Sequence, residues 1–128
     1  MPERIGVVDV STASNERGQS DSKRVGLPGM RVPEEITTEV LTAVGRVWAR
    51  ATLSHRDRSL ITIAALVADR CEEALHVHIR RGRENGLTRD DVYEAILHIG
   101  LYAGLGVAMD AFRIADQVFS EESEEADL

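Results

Sequence analysis

Ser54-His55-Arg56-Asp57-Arg58-Ser59-Leu60-Ile61-Thr62-Ile63-Ala64-Ala65-Leu66-Val67 is the stretch whose reading decides the fold. Ser54 with Asp57 three residues on is the pattern of a capping box, in which a serine side chain meets a backbone N–H of the first turn and the acid reaches back. The residues from Leu60 onward are apolar nearly all round, with no alternation of the kind a half-buried strand requires. The segment therefore reads as a helix central either to the core or to a contact between subunits.

The flanks repeat the pattern. Upstream, Pro33, Glu34 and Glu35 suit the first turn of a helix, where proline loses no bond and acids meet the positive end of the dipole. Ile36, Val40, Leu41, Val44, Val47 and Trp48 then recur at helical spacing as one apolar stripe. Downstream, a third helix is expected from about Cys71 to Asn85, with Gly86 placed to end it in a left-handed cap. Thr88, Arg89, Asp90 and Asp91 form a second capping box, followed by Val92, Tyr93, Ile96, Leu97 and Leu101. Gly104 and Gly106 interrupt, and Val107, Ala108, Ala111, Phe112, Ile114, Ala115, Val118 and Phe119 make a last helix. The fold class is all-α, a compact helical bundle. So small a bundle with one helix apolar almost all round is expected to cover surface by forming a homo-oligomer.

The chain of 128 residues suits one domain, and 43% hydrophobic content is enough for it to fold. Three segments are expected: an N-terminal arm over 1–30, flexible by its Ser, Asn, Gly, Arg and Lys content; a helical domain over 31–120; and an acidic tail over 121–128. That tail holds Glu121, Glu122, Glu124, Glu125 and Asp127, a large share of the net charge of −7, so the remainder is close to neutral. Nucleic-acid binding needs a basic stripe, and Arg80, Arg81 and Arg83 are the candidates. Gly82 interrupts them, Glu72, Glu73 and Glu84 lie near, and no aromatic residue is interleaved, so a solvated helix face is the better reading. Cys71 is the single cysteine, which rules out an internal disulfide. Residues 1–10 lack the basic leader and long apolar segment of a signal peptide, and no run approaches the ~20 apolar residues of a membrane span. A cytoplasmic protein without nucleic-acid or membrane partners is expected.

Chemistry is scarce along the chain. On the third helix, steps of three and four put Cys71, Ala74, Leu75, His78 and Gly82 on one face. His76 sits roughly 200° from His78 around a 3.6-residue repeat, so the two diverge. His78 keeps apolar and small company and is the inward one; His76 keeps company with Glu72, Glu73 and Arg80. A solitary histidine on an apolar face is more often a satisfied core residue than a catalyst. On the fourth helix, Glu94, His98 and Tyr102 share a face, where the carboxylate can hold the imidazole or form only a surface pair. No metal site is expected, since His76, His78, Glu94 and His98 lack the spacing of convergent ligands. Gly104-Leu105-Gly106 follows a helix, not a strand, and is no phosphate loop.

Four stretches, in order and spacing, resemble the carboxymuconolactone decarboxylase family. They are Val47-Trp48-Ala49-Arg50; Arg58-Ser59-Leu60-Ile61-Thr62-Ile63-Ala64; Leu75-His76-Val77-His78 with Asn85-Gly86-Leu87-Thr88; and Tyr102-Ala103-Gly104 leading to Ala111-Phe112-Arg113-Ile114-Ala115. The resemblance implies a helical fold of the alkylhydroperoxidase D-like type, assembled as trimers or hexamers. It also implies a cofactor-free lyase that removes carbon dioxide from a small unsaturated lactone acid such as γ-carboxymuconolactone, in the catabolism of aromatic compounds. The chain departs from the family at Ala74, where a glutamate is usual, and at Gly106, where a proline is usual. It also lacks the usual Gly-x-x-x-Arg-type segment near the start. The redox branch of the superfamily uses a Cys-x-x-Cys pair ahead of its histidine; here Cys71 fills the first position and Ala74 the second, which disfavours a thiol peroxidase because exchange within one site needs both sulfurs.

On that resemblance the expected catalytic residues are His78, as proton donor or oxyanion partner, with Glu94 and His98 as orienting groups. Arg50 and Arg58 are expected to bind substrate carboxylates, which guanidinium matches in a bidentate way, alongside Trp48 and Tyr102. The alternatives are a family member with a different small-molecule reaction in a biosynthetic pathway, or a non-catalytic oligomeric binding protein.

Overall fold

The computed structural model describes residues 31–128. The segment over 1–30, expected to be a flexible arm, lies outside the described residues. The chain divides into two compact units, one ending at Ala51 and the other running from Thr52 to Leu128. In the first, helix α1 spans Glu34–Trp48. Pro33 occupies its N-cap without a side-chain bond, and Glu34 and Glu35 in the first turn and Arg46 in the last complement the helix dipole.

The second unit holds α2 (His55–Ala68), α3 (Glu72–Glu84), α4 (Arg89–Ala103) and α5 (Leu105–Ala126). All described elements are helices, as the sequence pattern indicated. The caps explain the boundaries. Ser54 Oγ accepts the Asp57 N–H at 3.0 Å. At Thr88 the capping box is complete in both directions: Thr88 Oγ1 accepts the Asp91 N–H at 3.0 Å, and the Thr88 N–H donates to Asp91 Oδ2 at 2.8 Å. Gly86 and Gly104 take φ of +102° and +113°, which ends α3 and α4 where a side chain would be strained. Gly106, read from the sequence as part of the break, lies inside the first turn of α5.

Within this unit α2 packs on α3 and α4, and α5 packs on the same two helices. Their shared core is Ile63 and Val67 of α2, Leu75 and Ile79 of α3, Leu87 in the α3–α4 connection, Val92 and Ile96 of α4, and Val107, Ala108, Ala111, Ala115, Val118 and Phe119 along α5. Each large aliphatic group buried this way contributes roughly 1.5–3 kcal/mol. Small residues permit the closest approaches. A Cβ on Gly100 would lie 2.8 Å from Ala108 Cβ, and one on Gly82 would lie 2.8 Å from the end of Leu87. The helix read as apolar all round is in fact one-sided in this chain: Ile63 and Val67 are buried, while Ile61 is 56% exposed.

The segment over 121–128, expected to be an acidic tail, is helical through Ala126 as the end of α5. Composition alone marked it as a tail, but its acids meet a basic face. Glu121 Oε2 accepts from Arg80 at 2.6 Å and Glu125 Oε1 from the same guanidinium at 3.0 Å. Glu122 pairs with Arg83 at 3.2 Å and Arg89 at 3.4 Å. Both of those guanidinium groups also lie over the Phe119 ring, 5.9 and 5.2 Å from its centroid. Of the three arginines read as a solvated face, Arg80 and Arg83 thus hold the last turns of α5, while Arg81 pairs within α3 with Glu84 at 2.8 Å.

Candidate active site

Helix geometry separates the two histidines of α3 as expected. His78 is 4% exposed and sits between the core residues Leu75 and Gly82 on the buried face. Its Nδ1 is buried without a hydrogen-bond partner among the described residues. Burial, reinforced by the positive Arg81, holds its pKa below the ordinary histidine value, so the ring is neutral near pH 7. His76 turns the other way and is only partly buried, with Nε2 3.0 Å from Glu121 Oε2. The same carboxylate accepts from Gln117 Nε2 at 3.2 Å, and its cationic and amide neighbours hold Glu121 below the usual carboxylate range, Arg80 first among them.

Glu94, His98 and Tyr102 do share the outer face of α4, and all three are exposed. The ring of His98 meets that of Tyr102, with centroids 5.3 Å apart. Among the described contacts no hydrogen bond joins His98 to Glu94, so the carboxylate does not hold the imidazole within this chain. Arg58 is half-buried in the first turn of α2, where its carbonyl accepts from Thr62 Oγ1 at 2.8 Å. Trp48 closes α1 and Arg50 follows it, both in the first unit.

Two cavities of the second unit bear on these residues. One, of about 110 Å³, lies between α2, α3 and α5 and reaches Cys71 and Leu75 on the same α3 face as His78. The other is a more open recess of about 350 Å³ lined by Glu72, Glu73, His76, Ile114 and Gln117. Neither is lined by His78, which lies about 4.5 Å further along the helix axis than Leu75. The Cys71 thiol is held protonated, its pKa raised by burial and by the adjacent Asp69, to whose oxygens it lies 3.6–3.7 Å. Among the described residues no group of three or more His, Cys, Asp or Glu side chains is placed to hold a metal ion. No described helix is long and apolar enough to cross a membrane.

Sequence reasoning passed over a buried polar pair. Ser59 is fully buried, and its hydroxyl accepts from Asn85 Nδ2 at 2.9 Å, joining the start of α2 to the end of α3. It also passed over Arg56, whose guanidinium reaches Asp91 of the Thr88 capping box at 3.0 Å and Asp57 at 3.7 Å. The second of these pairs had a local signal, since the residues are adjacent; the others span separate helices.

The sequence profile of the carboxymuconolactone decarboxylase family matches residues 36–117. A 4-carboxymuconolactone decarboxylase from Acinetobacter baylyi is 44% identical over 79 residues, covering 62% of this chain and 59% of that protein. A nitrosuccinic acid decarboxylase from Metarhizium robertsii is 30% identical over 98 residues, covering 77% of this chain and 67% of that protein. An uncharacterised 15.0 kDa protein from Paracoccus denitrificans is 30% identical over 83 residues, 63% of this chain and 62% of its own length. The chain thus spans about three fifths of the length of the first of these relatives. With the family profile covering well over half of it, from within α1 to within α5, the chain belongs to the carboxymuconolactone decarboxylase family.

Proposed function

We propose that the protein is a cofactor-free decarboxylase of a small acid that carries its own electron sink, with γ-carboxymuconolactone as the leading substrate. The observation that carries this reading is its similarity to decarboxylases of two different acids, 4-carboxymuconolactone and nitrosuccinic acid. In both compounds the electron pair left by departing carbon dioxide has somewhere to go: an unsaturated lactone in one, a nitro group in the other. The protein then has to hold the carboxylate, stabilise the oxygen on which charge grows, and see a proton returned to carbon.

His78 suits the second or the third task, as oxyanion partner or as proton donor. Its buried neutral ring offers one N–H, and a donor already withdrawn from water stabilises developing charge more strongly than the same donor in solvent. Arg50 and Arg58 bind substrate carboxylates, Trp48 and Tyr102 supply aromatic walls, and Glu94 and His98 orient. A homo-oligomer, trimer or hexamer, completes the arrangement. Leu97, Leu101, Tyr102, Leu105 and Met109 are 48–78% exposed around the α4–α5 corner, an apolar surface suited to burial against another copy. The cytoplasm is the proposed location.

The second reading is decarboxylation of another acid within a biosynthetic pathway, favoured by Ala74 and Gly106 where the family usually has glutamate and proline. Purified protein incubated separately with γ-carboxymuconolactone and nitrosuccinic acid distinguishes the cases. Carbon dioxide release with falling lactone absorbance supports the first reading, and release from nitrosuccinic acid alone the second. Binding without release from either leaves a non-catalytic binding protein. Sedimentation at micromolar concentration tests assembly; a 14 kDa monomer removes that part.

A further inference from the structure

The cavity between α2, α3 and α5 has a mixed construction that the proposed chemistry does not use. Its wall is apolar, formed by Val67, Leu75, Val107, Ala111 and Ile114, while Arg70, Glu72 and Asp110 stand along it as charged groups of both signs. Its volume of about 110 Å³ is smaller than the ~150 Å³ apolar cavity known to accept benzene, leaving room for a short branched chain of about three or four carbons.

Arg70 is the one non-glycine residue with positive φ among the described residues, at +56°. It follows the end of α2, where the Cys71 N–H reaches back to the Leu66 carbonyl at 3.0 Å, a turn that glycine ordinarily occupies. The other positive-φ positions among the described residues are glycines, Gly86 and Gly104. Here it accepts the strain of a side chain, and that side chain lines the cavity. A simple carboxylic acid would meet Arg70 favourably but Glu72 and Asp110 unfavourably. A simple amine would meet the reverse. Asp110 also holds Arg113 at 3.3 Å.

We propose that this cavity is a binding site for a small free amino acid with a branched aliphatic side chain. The side chain fills the apolar space, the carboxylate meets Arg70, and the ammonium lies between Glu72 and Asp110. The site is independent of the decarboxylase reading.

The test is titration of the full chain with L-valine, isobutyrate, isobutylamine and valinamide by calorimetry. Cys71, the only thiol of the chain and a residue of the cavity wall, supplies a second readout through its rate of alkylation. Valine is expected to bind at least tenfold more tightly than the three analogues and to slow alkylation. Arg70→Gly, which relieves the strained turn, should leave the unliganded protein as stable or more so while weakening valine at least tenfold; Glu72→Gln should weaken it several-fold. The proposal is overturned if valine neither binds at millimolar concentration nor protects Cys71. Equal binding of isobutyrate removes the acidic half of the site, equal binding of valinamide removes the arginine half, and unchanged affinity in Arg70→Gly shows that residue to be only a strained turn; each of these also overturns it.

Discussion

The Nε2 atom of His76 lies 3.0 Å from Oε2 of Glu121, forty-five residues further along the chain. Through that contact, and the 2.6 Å bond from Arg80 to the same oxygen, the last turns of α5 are tied to α3. Acids that would repel one another on an isolated helix are thereby matched to cations on a neighbouring one.

Replacing Glu121 with Ala removes three partners at once, so the thermal midpoint should fall by a few degrees. Glu124→Ala, at an exposed position in the same turn, should change it little. Scanning fluorimetry in low and molar salt checks both, and the difference should shrink in high salt because screening acts on partly exposed pairs. Equal midpoints for the two variants in low salt would show the network contributes nothing.

Ser59 and Asn85 should behave as a coupled pair. Ser59→Ala strands the Asn85 amide inside the α2–α3 junction and is expected to cost about 1–3 kcal/mol by urea denaturation. Asn85→Ala should cost a similar amount, and the double variant less than the sum, with a coupling above about 0.5 kcal/mol. Strict additivity would mean that the hydrogen bond carries no net stability.

Three helical glycines make different predictions for alanine. At Gly100 the new Cβ would meet Ala108 Cβ at 2.8 Å, so the helices must separate, at a cost of about 1–3 kcal/mol. At Gly106 nothing lies within 4 Å, and alanine should stabilise by up to ~1 kcal/mol through helix propensity. Gly82→Ala should fall between, because the atom it meets is the movable end of Leu87. Denaturant midpoints give the order directly.

Local chemistry made the helix boundaries legible: the Thr88–Asp91 box, Ser54 and the two left-handed glycines each carry their instruction within a few residues. The divergence of His76 from His78 was legible for the same reason, since it follows from the helical repeat alone. The partners of each were not. Glu121 reaches His76 and Arg80 only because α5 packs on α3, and the same acids viewed as composition resemble a solvated tail. Ser59 meets Asn85 across a similar gap. The fourth-helix stripe shows the opposite limit: the pattern put Glu94, His98 and Tyr102 on one face, but periodicity does not decide which neighbour an imidazole takes, and His98 takes Tyr102.

Burial of His78 implies a pH dependence of stability. With the folded-state pKa held below the unfolded value of ~6.5, the unfolded chain takes up a proton first as pH falls. The stability present above pH ~6.5 is therefore lost progressively as pH drops toward the folded-state pKa. Urea denaturation at pH 7.5 and 5.5 should show the wild-type midpoint falling, and His78→Gln should flatten that fall. An unchanged slope in the variant would assign it to other groups.

Turnover gives the sharpest comparison, because His78 and His76 share a helix but not a face. His78→Gln keeps similar size and hydrogen bonding but cannot shuttle a proton near neutral pH, and general acid–base catalysis is worth about 10²–10⁴ in rate. Its kcat on the decarboxylated acid should fall by at least ~10² with the oligomer intact. His76→Gln breaks only the partly exposed contact with Glu121 and should stay within a few-fold of wild type. Cys71→Ser should also stay within a few-fold, since its thiol is held protonated and no second cysteine exists to exchange with it. Gel filtration alongside the assay separates loss of chemistry from loss of assembly. If His76→Gln proves the damaging substitution, the reaction belongs to the open recess facing α5, where Glu121 would hold the imidazole, and the role proposed for His78 fails.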